Sequence, residues 1–291
     1  MKKLRGIIPA MVTPMYADES INVEELKNQC ERQIKAGTAC LFCLGTNGEF
    51  YTLNNEEKRL VMRTVAETAK GRIPIMAGTG CVTTKETIEL TLYAKELGYD
   101  MVSVVTPYYS MGTQAGMIQH YTDVAEACRM PILIYNIPPR TGINLAAETV
   151  AKLAENPYII GIKDSSGNFE NLTSYIEATP DDFIVLAGND NFILPGLKAG
   201  TDGAIAGCAN VCPEVIVSIF TNFEAGHMEE AEKAQESIVP LRKCFAGFGS
   251  MPVIKRAMEL MGMPVGPARK PFDIHDPELD EKLKEVLKLY M

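Results

Sequence analysis

The sequence predicts a (β/α)8 barrel over residues 1–226, with a helical extension over residues 227–291 packed on it. Three observations carry that expectation. Short apolar runs alternate with amphipathic stretches through eight consecutive strand–helix units, which imply a closed parallel barrel. The strand signal stops at Gly226, and only helical periodicity follows. The chain has 291 residues, and one barrel typically takes about 250.

In order, Ile7 to Thr13 is a first apolar strand. Asn22, with Glu25 three residues later, caps a helix whose apolar positions Val23, Leu26, Cys30 and Ile34 fall on one face. Cys40 to Leu44 is the second strand, and Asn54 with Glu57 opens the next helix. The pattern recurs as strand Ile75 to Ala77, a helix from Thr83 with Glu86 at the capping-box position, strand Met101 to Val105 and helix Gln114 to Cys128. Strand Ile132 to Tyr135, helix Ala146 to Glu155, strand Ile159 to Lys163 and helix Phe169 to Glu177 follow. Strand Phe183 to Ala187, helix Phe192 to Ala199, strand Gly203 to Ala206 and helix Pro213 to Glu224 complete the repeats. In the extension, 228–247, 250–262 and 276–289 are helical, the last with Leu279, Leu283, Val286 and Leu287 on one stripe. Gly and Pro at 263–267 and Pro271 mark the connections.

Composition narrows the function. A hydrophobic fraction of 46% supplies a sizeable core, and a net charge of −9 argues against a nucleic-acid or anionic-membrane surface. Eight cysteines in a chain this long are too sparse for a disulfide scaffold, so they are expected as reduced core thiols of a cytoplasmic protein. The opening residues lack a signal-peptide apolar region, and no later run approaches the ~18 residues of a membrane span.

Strand carboxyl ends hold the chemistry of a barrel. The sixth predicted strand ends on Lys163, then breaks into Asp164-Ser165-Ser166-Gly167-Asn168. Lysine is rarely buried unpaired, so this one is either salt-bridged or held neutral. A neutral amine attacks ketones to give Schiff bases. The bland alternative is a strand-end lysine that snorkels to solvent or pairs with Asp164, and alternation weakens the pairing because it points Asp164 to the opposite face. After the second strand comes Gly45-Thr46-Asn47-Gly48-Glu49, a plain turn or a backbone cradle for a carboxylate. The fourth strand leads to Thr106-Pro107-Tyr108-Tyr109, and the fifth to Tyr135-Asn136-Ile137-Pro138-Pro139-Arg140-Thr141-Gly142. Tyrosines there either pack or carry phenols into a site, and arginine suits bidentate grip of a carboxylate. A metal-dependent hydrolase would need clustered ligands, whereas His120, His227 and His275 lie far apart in sequence. Cys40 and Cys43 have redox-like spacing inside a strand, where core packing is the expected role. Glycines at 200–207 carry no helix-opening phosphate fingerprint.

Residues 6 to about 270 resemble the dihydrodipicolinate synthase and N-acetylneuraminate lyase family of class I pyruvate aldolases, through GTNGE at 45–49, TPYY at 106–109, YNIPPRTG at 135–142 and GIKDSSGN at 161–168. The resemblance implies a homotetrameric barrel, or a dimer, in which Lys163 forms the Schiff base with pyruvate. It also implies Tyr135 as proton shuttle, Thr46 as its relay, Tyr109 as a phenol inserted from a neighbouring subunit, and Arg140 on the aldehyde's carboxylate. Asn47, Gly48, Gly188 and Ala206 complete the expected substrate-binding positions. Neither metal nor cofactor is expected, because the imine is the electron sink. Small keto-acid and aldehyde substrates are the expected partners. The family loop usually has threonine where Asn47 stands, which bears on the second substrate. Cys81-Val82-Thr83 departs from the run that binds lysine in feedback-inhibited members, so lysine regulation is expected to be weak or absent, with Lys58 and Glu86 as solvated helix-face charges. Condensation of pyruvate with aspartate semialdehyde ranks first. Aldolases for 2-keto-3-deoxy sugar acids or 4-hydroxy-2-oxoglutarate come next, then sialic acid cleavage. A non-catalytic regulator on this scaffold would be expected to lose Lys163 or Tyr135, and the chain keeps both.

Overall fold

Runs rich in Ile, Val, Leu, Met and small residues become strands whose residues are almost all buried, as parallel strands covered on both faces require. The computed structural model describes residues 4–291. Its strands are β1 (Gly6–Pro9), β2 (Leu41–Cys43), β3 (Ile75–Gly78), β4 (Met101–Val105), β5 (Ile132–Asn136), β6 (Ile159–Asp164), β7 (Ile184–Ala187) and β8 (Gly203–Ala206). Their order in one 8-stranded sheet is β1-β8-β7-β6-β5-β4-β3-β2, and helices alternate with them along the chain, which is (β/α)8 topology.

Contacts divide the chain into two compact units. The first spans 75–205, with the described residues just ahead of β1. Its strands β3 to β8 pair in parallel, with one register shift between β5 and β6 at Ile132/Leu133. Helices Thr84–Glu96 and Gln114–Cys128 start where Thr83 and Thr113 accept from the N–H of Glu86 and Gly116. The buried Tyr121 phenol donates to the Val104 carbonyl at 3.0 Å, tying the second of these helices to β4. Burial raises that phenol's pKa well above its ordinary value.

The second unit spans 6–74 and 206–291. Asn54 and Glu57 form a complete capping box on helix Asn55–Ala69. Arg269 grips the same Glu57 at 2.7 and 3.0 Å and also donates to the carbonyls of Thr52 and Glu19. Leu279, Leu283 and Leu287 form the buried stripe of helix Pro277–Leu287, and Arg256 from helix Ser250–Leu260 pairs with Asp280.

Two expectations need correction here, and the turn after β5 takes a defined form. The first strand stops at Pro9 rather than Thr13: beyond it Ala10 makes only a single bridge to Phe42, and the Val12 N–H is taken by the Asn210 side chain at 3.0 Å. The stretch 228–247 is two helices, Met228–Ser237 and Val239–Lys243, because Pro240 has no N–H to continue the first ladder. The Pro-Pro turn after β5 closes into one helical turn, Pro138–Thr141, ended by Gly142 at φ 77°. All eight cysteines are free thiols, seven of them buried and Cys244 half-buried. Among the described residues no helix is long and apolar enough to cross a membrane.

Candidate active site

Within the first unit, the register of β5 and β6 sets Tyr135 beside Lys163 and Asn136 beside Asp164. Strand alternation then sends the two pairs to opposite faces. On one face, the Lys163 Nζ lies 3.9 Å from the centre of the Tyr135 ring, and each residue is only 4% exposed. A phenol face at that distance stabilises positive charge on the nitrogen, whether ammonium or iminium.

On the other face, Asp164 accepts from Ser166 Oγ at 2.6 Å, Asn136 Nδ2 at 2.8 Å and Asn171 Nδ2 at 3.0 Å. Burial raises its carboxyl pKa, and those donors oppose the shift. Asn136 reaches onward to Asn144 and holds the Leu145 N–H, while Tyr175 donates to the Leu145 carbonyl at 2.6 Å. This network joins the ends of β5 and β6, and Asp164 is engaged in it rather than with Lys163. The sequence pattern foresaw the opposite orientation of Asp164 but not its partners.

Gly188 follows β7 and donates its N–H to the Asp164 carbonyl at 2.7 Å. A Cβ there would stand 2.0 Å from Ser165 Oγ, 2.7 Å from the Asp164 carbonyl oxygen and 2.9 Å from Lys163 Cε, so only glycine fits. The Ser165 hydroxyl is buried and has no hydrogen-bond partner among the described residues. Tyr109 and Arg140 are not gathered with the buried pair. Tyr109 sits at φ 77° and is 99% exposed, and Arg140 stands exposed on the turn Pro138–Thr141. Its neighbour Tyr108 is half-buried, and burial raises its phenol pKa.

In the second unit, the motif after β2 forms a 3-10 turn, Thr46–Gly48, with all three residues buried. The chain leaves it through Glu49 at φ 58°, a left-handed conformation that costs a non-glycine residue energy and persists where surroundings hold it. Here they do. Lys255 Nζ donates to Glu49 Oε1 at 2.7 Å and to the Pro267 carbonyl at 2.7 Å, and the Arg269 N–H reaches Glu49 Oε2 at 2.8 Å. Lys255 and Glu49 are 1% and 0% exposed. Burial lowers the Lys255 pKa, and Glu49 opposes that shift. Thr13 Oγ1 donates to the Gly48 carbonyl at 2.7 Å, and a Cβ on Gly48 would come within 3.0 Å of the Met11 carbonyl oxygen. Asn47 Oδ1 accepts from Ser250 Oγ at 2.9 Å. Ala206, the last residue of β8, is fully buried and its carbonyl accepts from the Ala10 N–H at 3.0 Å.

Lys255, Ser250 and Glu49 had no assigned role in the sequence. A signal existed for Lys255: it shares the buried face of its helix with Met251, Ile254 and Met258, and a charge on such a face needs a partner. Lys58 corrects a further expectation, since it is buried at 9% exposure on the inward side of helix Asn55–Ala69. Glu86 is exposed, as expected, and accepts from Thr83 Oγ1.

A buried amine faces a phenol at adjoining strand ends of a (β/α)8 fold, an enzyme scaffold whose strand ends carry the chemistry. The chain belongs to the dihydrodipicolinate synthetase family, whose model matches residues 3–290. It is 39% identical over 289 residues to the 4-hydroxy-tetrahydrodipicolinate synthase of Methanopyrus kandleri, covering 98% of this chain and 95% of the relative. Among solved structures, a dihydrodipicolinate synthase from Bacillus anthracis superposes with a TM-score of 0.95 at 33% identity, covering 99% of both chains. The chloride-inhibited dihydrodipicolinate synthase of Acinetobacter baumannii, complexed with pyruvate, also gives 0.95, at 35% identity and 99% coverage of both.

Proposed function

We propose that this enzyme condenses pyruvate with aspartate semialdehyde through a Schiff base on Lys163, the reaction of a 4-hydroxy-tetrahydrodipicolinate synthase. The observation that carries the assignment is the buried Lys163 amine held 3.9 Å over the Tyr135 ring. The neutral amine attacks C2 of pyruvate, and the carbinolamine loses water as its oxygen takes a proton from the Tyr135 phenol. The resulting iminium draws electrons from C3, whose proton passes to the Tyr135 phenolate to give an enamine. Carbon 3 of the enamine then attacks the aldehyde carbon, the aldehyde oxygen takes that proton from the Tyr135 phenol, and the amine of aspartate semialdehyde adds to the re-formed iminium at C2 and expels the Lys163 amine, its surplus proton returning to Tyr135. Thr46 is assigned the relay to Tyr135, and the turn bearing Asn47 and Gly48 the grip on the pyruvate carboxylate. Gly188 and Ala206 are assigned to the walls of the substrate site. Arg140 is assigned the carboxylate of the aldehyde, because its guanidinium stands exposed at a strand-end turn. Tyr109 is assigned to a neighbouring subunit of a homotetramer. The imine supplies the electron sink, so the mechanism uses no cofactor. The proposed setting is the cytoplasm, where the free thiols stay reduced.

The buried Ser165 hydroxyl favours a second reading. A donor and acceptor beside the Lys163 methylenes suits a hydroxylated partner, as in an aldolase for 2-keto-3-deoxy sugar acids or 4-hydroxy-2-oxoglutarate. Offering the pyruvate-loaded enzyme aspartate semialdehyde, glyoxylate and sugar-derived aldehydes in parallel separates the two. The synthase assignment expects fastest consumption of aspartate semialdehyde; consumption of the other aldehydes alone would replace it with the aldolase.

A further inference from the structure

We infer that Ser250 is a positioning residue that turns the Asn47 amide so that its Nδ2 N–H groups donate to the carboxylate of the keto-acid substrate, so that affinity for that acid depends on a residue of the C-terminal helical extension. The inference rests on the proposed keto-acid chemistry and deepens it. Asn47 is buried at 7% exposure in the Thr46–Gly48 turn, and its only hydrogen bond among the described residues is the one its Oδ1 accepts from Ser250 Oγ. A primary amide has one acceptor oxygen and two N–H donors. With its oxygen held by Ser250 the amide is fixed in orientation, and its Nδ2 N–H groups, which make no hydrogen bond among the described residues, are left to donate to a ligand. An anion is the ligand such a group prefers. A threonine at this position, usual in the family, would offer a hydroxyl that both donates and accepts.

Ser250 is free to serve in this way. It is the first residue of helix Ser250–Leu260, and among the described residues its hydroxyl makes no capping bond and has Asn47 as its one partner. The preceding Gly249, at φ 83°, sets the helix start. One turn further on, Lys255 from the same helix fixes Glu49 through the buried ion pair. Two points of one helix therefore grip the turn, and the first of them carries orientation alone.

The test is the pyruvate concentration giving half-maximal borohydride trapping, and the KM and kcat for pyruvate, measured for the parent chain, Ser250→Ala, Ser250→Thr, Asn47→Ala and the Ser250→Ala/Asn47→Ala double variant. Loss of one orienting hydrogen bond in Ser250→Ala is expected to raise KM and the half-trapping concentration about fivefold, with kcat changed less than about twofold. Ser250→Thr, which keeps the hydroxyl, restores both values. The double variant matches Asn47→Ala alone, because Ser250 acts through Asn47. Asn47→Asp, which still accepts from Ser250 but offers no donor, raises KM more than any of these. Equal half-trapping concentrations in the parent and Ser250→Ala would overturn the assignment of Ser250 while leaving the Schiff-base chemistry standing. A further rise on adding Ser250→Ala to Asn47→Ala would also overturn it. No adduct in the folded parent chain would overturn the keto-acid chemistry and the ligand assigned to Asn47 together.

Discussion

At Gly188 one methyl group decides whether the lysine keeps its place. The Cβ of an alanine there would overlap Ser165 Oγ and press on Lys163 Cε at 2.9 Å. Since the Asp164 carbonyl oxygen crowds the same point and is fixed in β6, the lysine and serine must move instead. Gly188→Ala is therefore expected to lower activity at least tenfold and to cost about 1–3 kcal/mol of stability through overpacking. Activity assays beside urea denaturation check both; a variant with parental activity and stability would show that the contact is not as tight as described. At this scale an apolar run ending on a lysine favours, on its own, a snorkelling or paired side chain, and Lys163 was singled out only together with the motifs at the other strand ends. The sequence was uninformative about the Asn136, Asn144 and Asn171 network around Asp164, whose members are seven and more residues apart and meet only through folding. Lys58 was misjudged because its charge suggested solvent, while its helix turns it inward beside Val61, Met62 and Val65.

Among the elements, helices Thr84–Glu96 and Gln114–Cys128 are joined by His120 Nδ1 and Thr84 Oγ1 at 2.9 Å. The other ring nitrogen of His120 is buried without a hydrogen-bond partner among the described residues, so protonation would place an unmet charge there. Burial lowers the imidazole pKa to about 4, against a weaker opposing effect from Asp123. In the unfolded chain the same group titrates near 6.5. Between those values the unfolded chain binds the extra proton, so stability is complete above about pH 6.5 and is lost as pH falls toward 4. The loss is roughly 3 kcal/mol at full protonation. Urea denaturation between about pH 7 and pH 4 should show His120→Gln losing less stability than the parent; parallel losses would contradict the assignment. Element boundaries were legible where a local signal marked them. Thr113 and Pro213 start their helices where expected, and β4 and β8 match to the residue. They were illegible where helical periodicity continued across Pro240, since the pattern of apolar residues does not register a missing N–H. The sequence left the motif at Thr46–Gly48 open between a plain turn and a carboxylate cradle, because what holds the 3-10 turn, Lys255 and Ser250, lies some 200 residues away in sequence.

For the whole molecule, the proposed homotetramer and the Schiff base are the two claims with the widest consequences. Tyr109 is held out at a positive φ with 99% of its surface exposed, and Met111 nearby is 80% exposed. An aromatic presented in this way suits a neighbouring subunit. Dilution followed by sedimentation and activity should therefore show turnover falling as the assembly dissociates, and Tyr109→Phe should lower kcat in the intact assembly. An isolated monomer with full activity would contradict the role given to Tyr109. The central claim is tested most directly by borohydride reduction in the presence of pyruvate, followed by intact and peptide mass analysis. The account predicts one pyruvate-derived adduct per chain, located on Lys163 and absent from Lys163→Ala. A folded protein with no adduct, or with the adduct on another lysine, would contradict it.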